Sequence, residues 1–416
     1  MWYTGGVSRP YVAWRDLIYP TEDLNVCEFI HGRNNLLSFF ALPIRDFHYY
    51  LCRCRTAKGE IIMIYKNALV NGKKVDIKVE NGVFTEIGSI DGDGIDLNGK
   101  KVYPGLIDIH IHGCMGSDAS DIGKLPEMSE YLAKNGVTSW LPTTMTIDIE
   151  TIKKITSSDM SCPNGAQVLG FHMEGPYISA NHKGAQNEKY IKNPDIDEFM
   201  SIENVKMITL APEKDGSMEF IKKCPAVVSI GHTDADYECT EKAIDCGAKC
   251  LTHTFNAMPP LHHRNPGVIG AGIDREIYAQ VICDGLHIHK SVIKMLYKTF
   301  GKERLVLISD ALRAAGLADG EYELGKQNIV VKNSVARTLD GALAGGTTML
   351  LGCVKKAVEF GIPEEDAFCM ASRTPAELMG INKGRIEVGY DADFGVYDSD
   401  LNLKMCVVGG KNVYEN

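Results

Sequence analysis

The spacing of apolar and polar residues changes character along the chain. From Met63 onward, apolar and polar positions alternate through Ile64–Val70 and again through Val75–Val79, with Asn71-Gly72 between them. Alternation at period two around Asn-Gly predicts a β-hairpin, because both turn residues tolerate positive φ. A second pair, Asn81-Gly82, leads into Val83–Ile87, and Ala392–Tyr397, Leu403–Val408 and Gly409-Gly410 repeat the pattern near the C-terminus. These ends predict one small β-sandwich domain built from 63–103 and 385–416. Residues 1–62 hold two of the three tryptophans and show no clear period, so they are set apart as an N-terminal extension of unknown structure.

The middle of the chain follows a different rhythm. Short apolar runs (Leu106–His112, Ser139–Thr143, Val168–Glu174, Lys206–Ala211, Val227–Gly231, Cys250–Thr254, Tyr278–Cys283 and Leu305–Ser309) alternate with amphipathic stretches. Two of those stretches, Glu238–Cys246 and Ser291–Phe300, stop at Gly247 and Gly301, the residue type that best closes a helix. Such a succession of βα units predicts an α/β fold, a (β/α)8 TIM-like barrel over 104–384. An open doubly wound sheet is the competitor, but no run is followed by the Gly-rich turn of a dinucleotide site.

Composition narrows the class. With 44% hydrophobic and 24% charged residues the 416-residue chain is that of an ordinary globular protein. A net charge of −10 argues against a broad nucleic-acid surface, yet leaves room for a local anion pocket. No apolar run approaches the ~20 residues of a membrane span. Leu36–Ile44 lies too deep and lacks a cleavage site, so no signal peptide is expected. The 13 cysteines form no CxxC pair, which reads as reduced thiols in a cytoplasmic protein.

The histidines carry the chemistry. Of the 12 histidines, all but His31 and His48 lie between His110 and His289, and most follow an apolar run. The runs end in His110-Ile111-His112, His172-Met173-Glu174, Gly231-His232, Thr252-His253, Asp284 with His287 close behind, and Ser309-Asp310. In a barrel all these ends converge on one face, where active sites are built. Strand geometry predicts that His110 and His112 project together with Asp108 below them, while Ile107, Ile109 and Ile111 take the other face. Imidazoles mixed with carboxylates suit Zn2+ or Fe2+ rather than an all-oxygen ion. Four histidines, one Glu and one Asp exceed the needs of a single tetrahedral ion, so two ions sharing Glu174 fit the count better. Such a centre lowers the pKa of a bound water towards ~7 and polarises a carbonyl, the equipment of hydrolysis.

Pro104-Gly105-Leu106-Ile107-Asp108-Ile109-His110-Ile111-His112-Gly113 resembles the first-strand motif of the amidohydrolase superfamily, and Gly384-Arg385-Ile386 through Asp393 is similar to its return to the β domain. The ordered set His172-Met173-Glu174-Gly175-Pro176, Gly231-His232-Thr233, Thr252 to Met258, Asp284 to His287 and Ser309-Asp310-Ala311 resembles the N-acetylglucosamine-6-phosphate deacetylases from about Met63 to Asn416. The resemblance implies deacetylation of a sugar phosphate by one or two divalent metals. It implies metal ligation by Glu174, His232 and His253, with His110 and His112 as the extra pair of two-metal members. Asp310 corresponds to the catalytic acid/base, also close to the metal. Asn256 and Ala257, with Arg264 from a neighbouring subunit of a homodimer, correspond to sugar-phosphate contacts. His287 corresponds to a sugar-hydroxyl contact, Leu343, Ala344 and Gly345 to a loop near the acetyl group, and Ala185 to a further substrate contact.

Gln186 departs from the pattern, since some members place there a His that helps polarise the acetamide carbonyl. His172 is a candidate partner behind the ligands, whereas His182, His262, His263 and His289 read as surface or rim residues and Cys114 as a packing residue. Two rival readings are weighed. Cyclic-amide hydrolases and aminoacylases commonly use a modified lysine at the end of the fourth strand, but that strand ends here in Thr209-Leu210-Ala211-Pro212-Glu213. A non-catalytic scaffold of the same fold is opposed by the intact ligand set and Asp310.

Overall fold

The computed structural model describes residues 54–55, 61–325, 327–339 and 341–416. The chain divides into two units, Met1–Ile62 and Met63–Asn416. The extension 1–62 falls almost wholly outside the described residues, and the second unit holds the fold that carries the site.

Eight parallel strands form its centre: β1 (Leu106–Ile111), β2 (Val137–Thr144), β3 (Phe171–Glu174), β4 (Val205–Leu210), β5 (Val227–Ile230), β6 (Cys250–Leu251), β7 (Tyr278–Ile282) and β8 (Leu305–Ile308). Each pairs with the next in sequence order. The ring closes just beyond the last strand, where Asp310 N donates to His110 O at 2.9 Å and His112 N to Ala311 O at 2.8 Å. The barrel expected from the apolar runs is therefore the observed architecture.

Two apolar layers hold it. Ile107, Ile109, Leu141, Met207, Cys250, Ile282, Val306 and Ile308 form one buried cluster with Ala376 and Leu378 of the helix Arg373–Met379. Side chains from that many strands of a closed sheet can meet only inside it. The outward layer includes Leu106, Ile111, Trp140, Phe171, Leu210 and Leu307, packed beneath the helices. Trp140 is fully buried there, and its Nε1 donates to Ser129 Oγ at 2.9 Å, which ties β2 to the helix Leu125–Ala133. Truncating such a side chain to alanine costs about 3–5 kcal/mol. The helix Tyr237–Asp245 is capped by Asp236, and Lys290–Phe300 by His289, an exposed residue as expected, whose ring accepts from Ser291 N.

One expectation about β1 is overturned. Trp140 pairs with Asp108 and Pro142 with Ile111, so β1 carries one residue more than β2 over this stretch. This is a β-bulge, in which Ile109 and His110 together oppose Leu141. The alternation breaks there. Ile107 and Ile109 lie inside the barrel, and only Ile111 faces the helices as expected. Asp108 does not sit below the histidines. It is buried in the wall, where its Oδ1 accepts from Ser309 N at 3.4 Å and His110 N at 3.3 Å.

A second sheet of the unit draws on both ends of the chain. Ile61–Val70, Lys73–Glu80, Val83–Gly88 and Lys101–Pro104 share a sheet with Phe394–Tyr397, Leu403–Val408 and Lys411–Glu415. Both Asn-Gly turns have positive φ at each residue, 48° and 71° at Asn71-Gly72 and 51° and 84° at Asn81-Gly82. The sheet returns on itself at Gly82, whose carbonyl accepts from Ala392 N at 2.7 Å. A sandwich-like core of Tyr65, Ile77, Phe84, Phe394 and Val407 closes between its arms. A separate three-stranded antiparallel sheet, Gly320–Leu324, Gln327–Lys332 and Val335–Thr338, follows β8 and was not foreseen from the sequence.

Candidate metal centre and active-site pocket

The strand ends aim the site residues inward. His110 lies in β1, His112 just beyond it, and Glu174 closes β3. His232, His253 and Asp310 each stand two residues beyond their strands, with φ of 48°, 27° and 46°. A left-handed backbone at a non-glycine residue costs on the order of 1–3 kcal/mol and recurs at functional sites. Here it turns each side chain from the strand direction into the barrel mouth.

Glu174 is the centre of the cluster. Its Oε1 lies 3.2 Å from His232 Nε2, 3.2 Å from His253 Nε2 and 3.3 Å from His110 Nε2. Its Oε2 lies 3.2 Å from His112 Nε2. Asp310 Oδ1 faces the other pair, 3.4 Å from His110 Nε2 and 3.3 Å from His112 Nε2. Two ligand groups result, His110–His112–Glu174 and Glu174–His232–His253, each with donor atoms within 4.8 Å of one another.

The tautomers decide what these groups can hold. His112 Nδ1 lies 3.1 Å from Thr143 O and His232 Nδ1 2.8 Å from His182 O, so in both rings the Nδ1–H donates to a carbonyl. His110 Nδ1 lies 3.0 Å from Gln280 Oε1 in the same relation. Each Nε2 then presents a lone pair to carboxylate oxygens and to other imidazole nitrogens, including the 3.1 Å approach of His232 Nε2 to His253 Nε2. Lone pairs facing lone pairs repel unless a cation or proton lies between them. His110 Nε2 is buried without a hydrogen-bond partner, as a metal-facing nitrogen would be. The donor set therefore fits a borderline transition metal, with the carbonyl-anchored rings as its support.

The electrostatics agree. Burial would raise the Glu174 carboxyl, but His110 and His232 outweigh it and hold it well below the usual carboxylate range. Burial likewise opposes ionisation of Asp310, and His110 and His112 bring it down to about 2. Against the cost of their own burial, His110 and His112 are raised by Glu174 and Asp310. Burial and His110 push His172 well below the ordinary histidine range, so it is neutral. Its Nδ1 donates to Ile109 O at 3.1 Å, its Nε2 accepts from Thr209 Oγ1 at 2.8 Å, and its ring packs edge-on to His110.

A cavity of about 420 Å³ opens over this cluster, a size suited to a small ligand. Among the residues singled out from sequence, His112, Glu174, Ala185, Gln186, His232, His253, Asn256, Ala257, His287, Asp310, Leu343 and Gly345 line it. His110 lies beneath and Ala344 is buried behind. Arg264 is not brought to the cavity. It is exposed, with Nη1 2.9 Å from His263 Nε2. His287 is held by Asp284, whose Oδ2 accepts from Nδ1 at 2.7 Å.

Sequence reasoning missed several contributors. His182, read as a surface or rim residue, is half-buried at the cavity, which it lines, and pairs with Asp234 at 3.0 Å. Gln280 and Thr143, which orient His110 and His112, were passed over. The signal was a glutamine inside the otherwise apolar run Tyr278–Ile282, a residue type not buried without a partner.

The sequence profile of the amidohydrolase family matches residues 102–413. An N-acetylglucosamine-6-phosphate deacetylase of Vibrio furnissii is 37% identical, over 81% of this chain and 90% of that protein. An N-acetylgalactosamine-6-phosphate deacetylase of Escherichia coli O157:H7 is 34% identical, over 80% of this chain and 93% of its own. Among solved structures, a mutant N-acetyl-D-glucosamine-6-phosphate deacetylase of Mycobacterium smegmatis in complex with N-acetyl-D-glucosamine-6-phosphate superposes with a TM-score of 0.79 at 28% identity, covering 85% of this chain and 99% of that one.

Proposed function

The chain belongs to the amidohydrolase family, and from that membership we propose that it hydrolyses the acetamide of N-acetyl-D-glucosamine 6-phosphate to D-glucosamine 6-phosphate and acetate. The observation that carries the reading is the convergence of imidazole lone pairs on Glu174 and Asp310 at the floor of the pocket. The family is metal-dependent. Glu174, His232 and His253 would hold one divalent ion, and His110 and His112, with Glu174 shared and Asp310 alongside, a second. Zn2+ or Fe2+ suits these donors. A bound metal supplies an activated water and a polarised carbonyl.

The chain's own groups do the rest. Asp310 is ionised throughout the neutral range, so it can take a proton from the attacking water. Its low proton affinity favours handing that proton on to the departing amine. Asn256 and Ala257 form the wall that meets the sugar phosphate, and Ala185, Leu343, Ala344 and Gly345 the side nearest the acetyl group. His287, fixed through Nδ1 by Asp284, offers its other nitrogen to a sugar oxygen.

The phosphate requires a cation in an acidic chain. The family resemblance assigns Arg264 to the neighbouring site of a homodimer, a guanidinium suits bidentate phosphate binding, and in one chain Arg264 stands exposed and away from its own pocket. A cytoplasmic location is supported by the cysteines, ten of which are free among the described residues. No helix among the described residues is long and apolar enough to cross a membrane. The deciding experiment is acetate release from N-acetylglucosamine 6-phosphate by purified protein, with metal content measured on the same sample. Turnover that disappears with a chelator and returns with Zn2+ or Fe2+ supports the reading. Metal-loaded protein without acetate release overturns it.

A further inference from the structure

The side chain of Gln186 is committed at both ends. Its Oε1 accepts from Thr146 N at 2.7 Å and its Nε2 donates to Glu174 Oε2 at 2.5 Å. The orientation admits no reversal, because the Thr146 amide only donates and the ionised Glu174 carboxylate only accepts. The remaining Nε2 approach, 3.8 Å, is to Met145 Sδ. Gln186 is 3% exposed, so water does not compete for these bonds. One of the two Nε2 hydrogens is thus engaged with Glu174, and the other has only the weak thioether acceptor of Met145.

This bond determines how Glu174 presents its two oxygens. With Oε2 drawn to Gln186, Oε1 faces His232, His253 and His110, while the free side of Oε2 faces His112. Thr146 Oγ1 fixes the other end of the residue by donating to Glu174 O at 3.1 Å. Turning the carboxylate so that both oxygens chelate one ion would break the Gln186 bond. We propose that Gln186 is a positioning residue, a latch that keeps Glu174 in the bridging orientation and thereby sustains the ion at His110 and His112. The inference rests on the two-ion reading above and adds to it which residue upholds the second position.

Two opposing effects meet at Oε2. Donation by Gln186 withdraws electron density from the oxygen, which weakens it as a ligand, and it also holds the oxygen in place. Orientation dominates, because removing the partner that orients a ligand typically weakens metal binding about 10–100-fold. The test is titration of metal-free protein with Zn2+ against a competing chelator, for wild type, Gln186→Leu and Gln186→Asn. Leucine keeps the volume without the donor, and asparagine keeps the amide but is too short to span Thr146 N and Glu174 Oε2. The latch predicts that the ion missing from a His110→Asn, His112→Asn variant loses about 10–100-fold in affinity in both Gln186 variants while the other stays within about threefold.

Thermal melting establishes that each variant is folded. Two ions bound as in wild type overturn the latch, and so does equal weakening of both, which would make Gln186 a general support. A wild type that takes up only one ion overturns the latch and the two-ion reading together. That result is read on the wild type alone, and acetate release tests the deacetylase reading independently of it.

Discussion

His172 donates from Nδ1 to the carbonyl of Ile109 at 3.1 Å, and Ile109 is where β1 bulges against β2. A bulge leaves its extra residue without a regular ladder partner, and a buried carbonyl there needs a donor from elsewhere. β3, the strand beyond β2, supplies one from a neutral imidazole that belongs to neither ligand group. The same bulge lets His110, next in the chain, point into the barrel beside Ile109.

Replacing His172 with leucine should therefore loosen the aim of His110. Losing the buried donor costs about 1–3 kcal/mol of stability. Binding at the His110–His112 position should weaken about tenfold or more. Melting temperature and chelator competition on one preparation check both, and a variant that loses stability but keeps full metal affinity would separate the bulge from the site.

The two ligand groups share only Glu174, so they should empty separately. His110→Asn with His112→Asn should reduce metal-replete protein from two ions per chain to one. Elemental analysis that finds one ion at most in the wild type, unchanged by these substitutions, excludes the second position.

Asp310→Asn should abolish turnover while leaving substrate binding largely intact, because a proton shuttle acts in the transition state rather than in the ground state. The measurement is kcat against KM in a variant shown to carry wild-type metal. Near-normal kcat removes Asp310 from the acid/base role.

Burial would lower the His287 imidazole, but the hydrogen bond and charge of Asp284 outweigh it and raise it from the ordinary histidine value. A group raised on folding contributes stability that is complete below its unfolded value, near ~6.5, and is lost as pH rises through the folded value. The charged donor to the sugar disappears over the same interval, so KM should climb with pH there. Asp284→Asn should move that limb to lower pH. A KM profile indifferent to the substitution would show that His287 does not meet the substrate as a cation.

Arg264→Ala should raise KM for the phosphorylated sugar by one or more orders of magnitude, since a charge-assisted contact is worth about 1.5–3 kcal/mol. Unphosphorylated N-acetylglucosamine should be affected far less. If Arg264 acts across the interface, mixing Arg264→Ala chains with Asp310→Asn chains restores one complete site per mixed dimer. Equal loss on both sugars refutes the phosphate role, and no recovery in verified mixed dimers refutes action in trans.

Much of the architecture was legible in local pattern. A barrel strand is a short, bounded apolar run, and the residues that follow it must emerge on one face, so His110, His232, His253 and Asp310 could be grouped from the sequence alone. The Asn-Gly turns were legible for the same reason, since their backbone preference resides in the two residues themselves. What local pattern could not supply depends on the partner strand or on residues far along the chain. The bulge at Ile109 exists only relative to the count of residues in β2, and it reversed the expected faces of Ile107, Ile109 and Asp108. The bond from Gln186 to Glu174 ties a loop to the end of β3 through a carboxylate whose rotation no spacing encodes. Thr143 acquired its role when β2 paired with β1, and Gln280 only when barrel closure brought β7 behind His110. Periodicity constrains which side of an element a residue takes, whereas the direction of a lone pair is set by the neighbour that holds the other end of its side chain, and packing alone selects that neighbour.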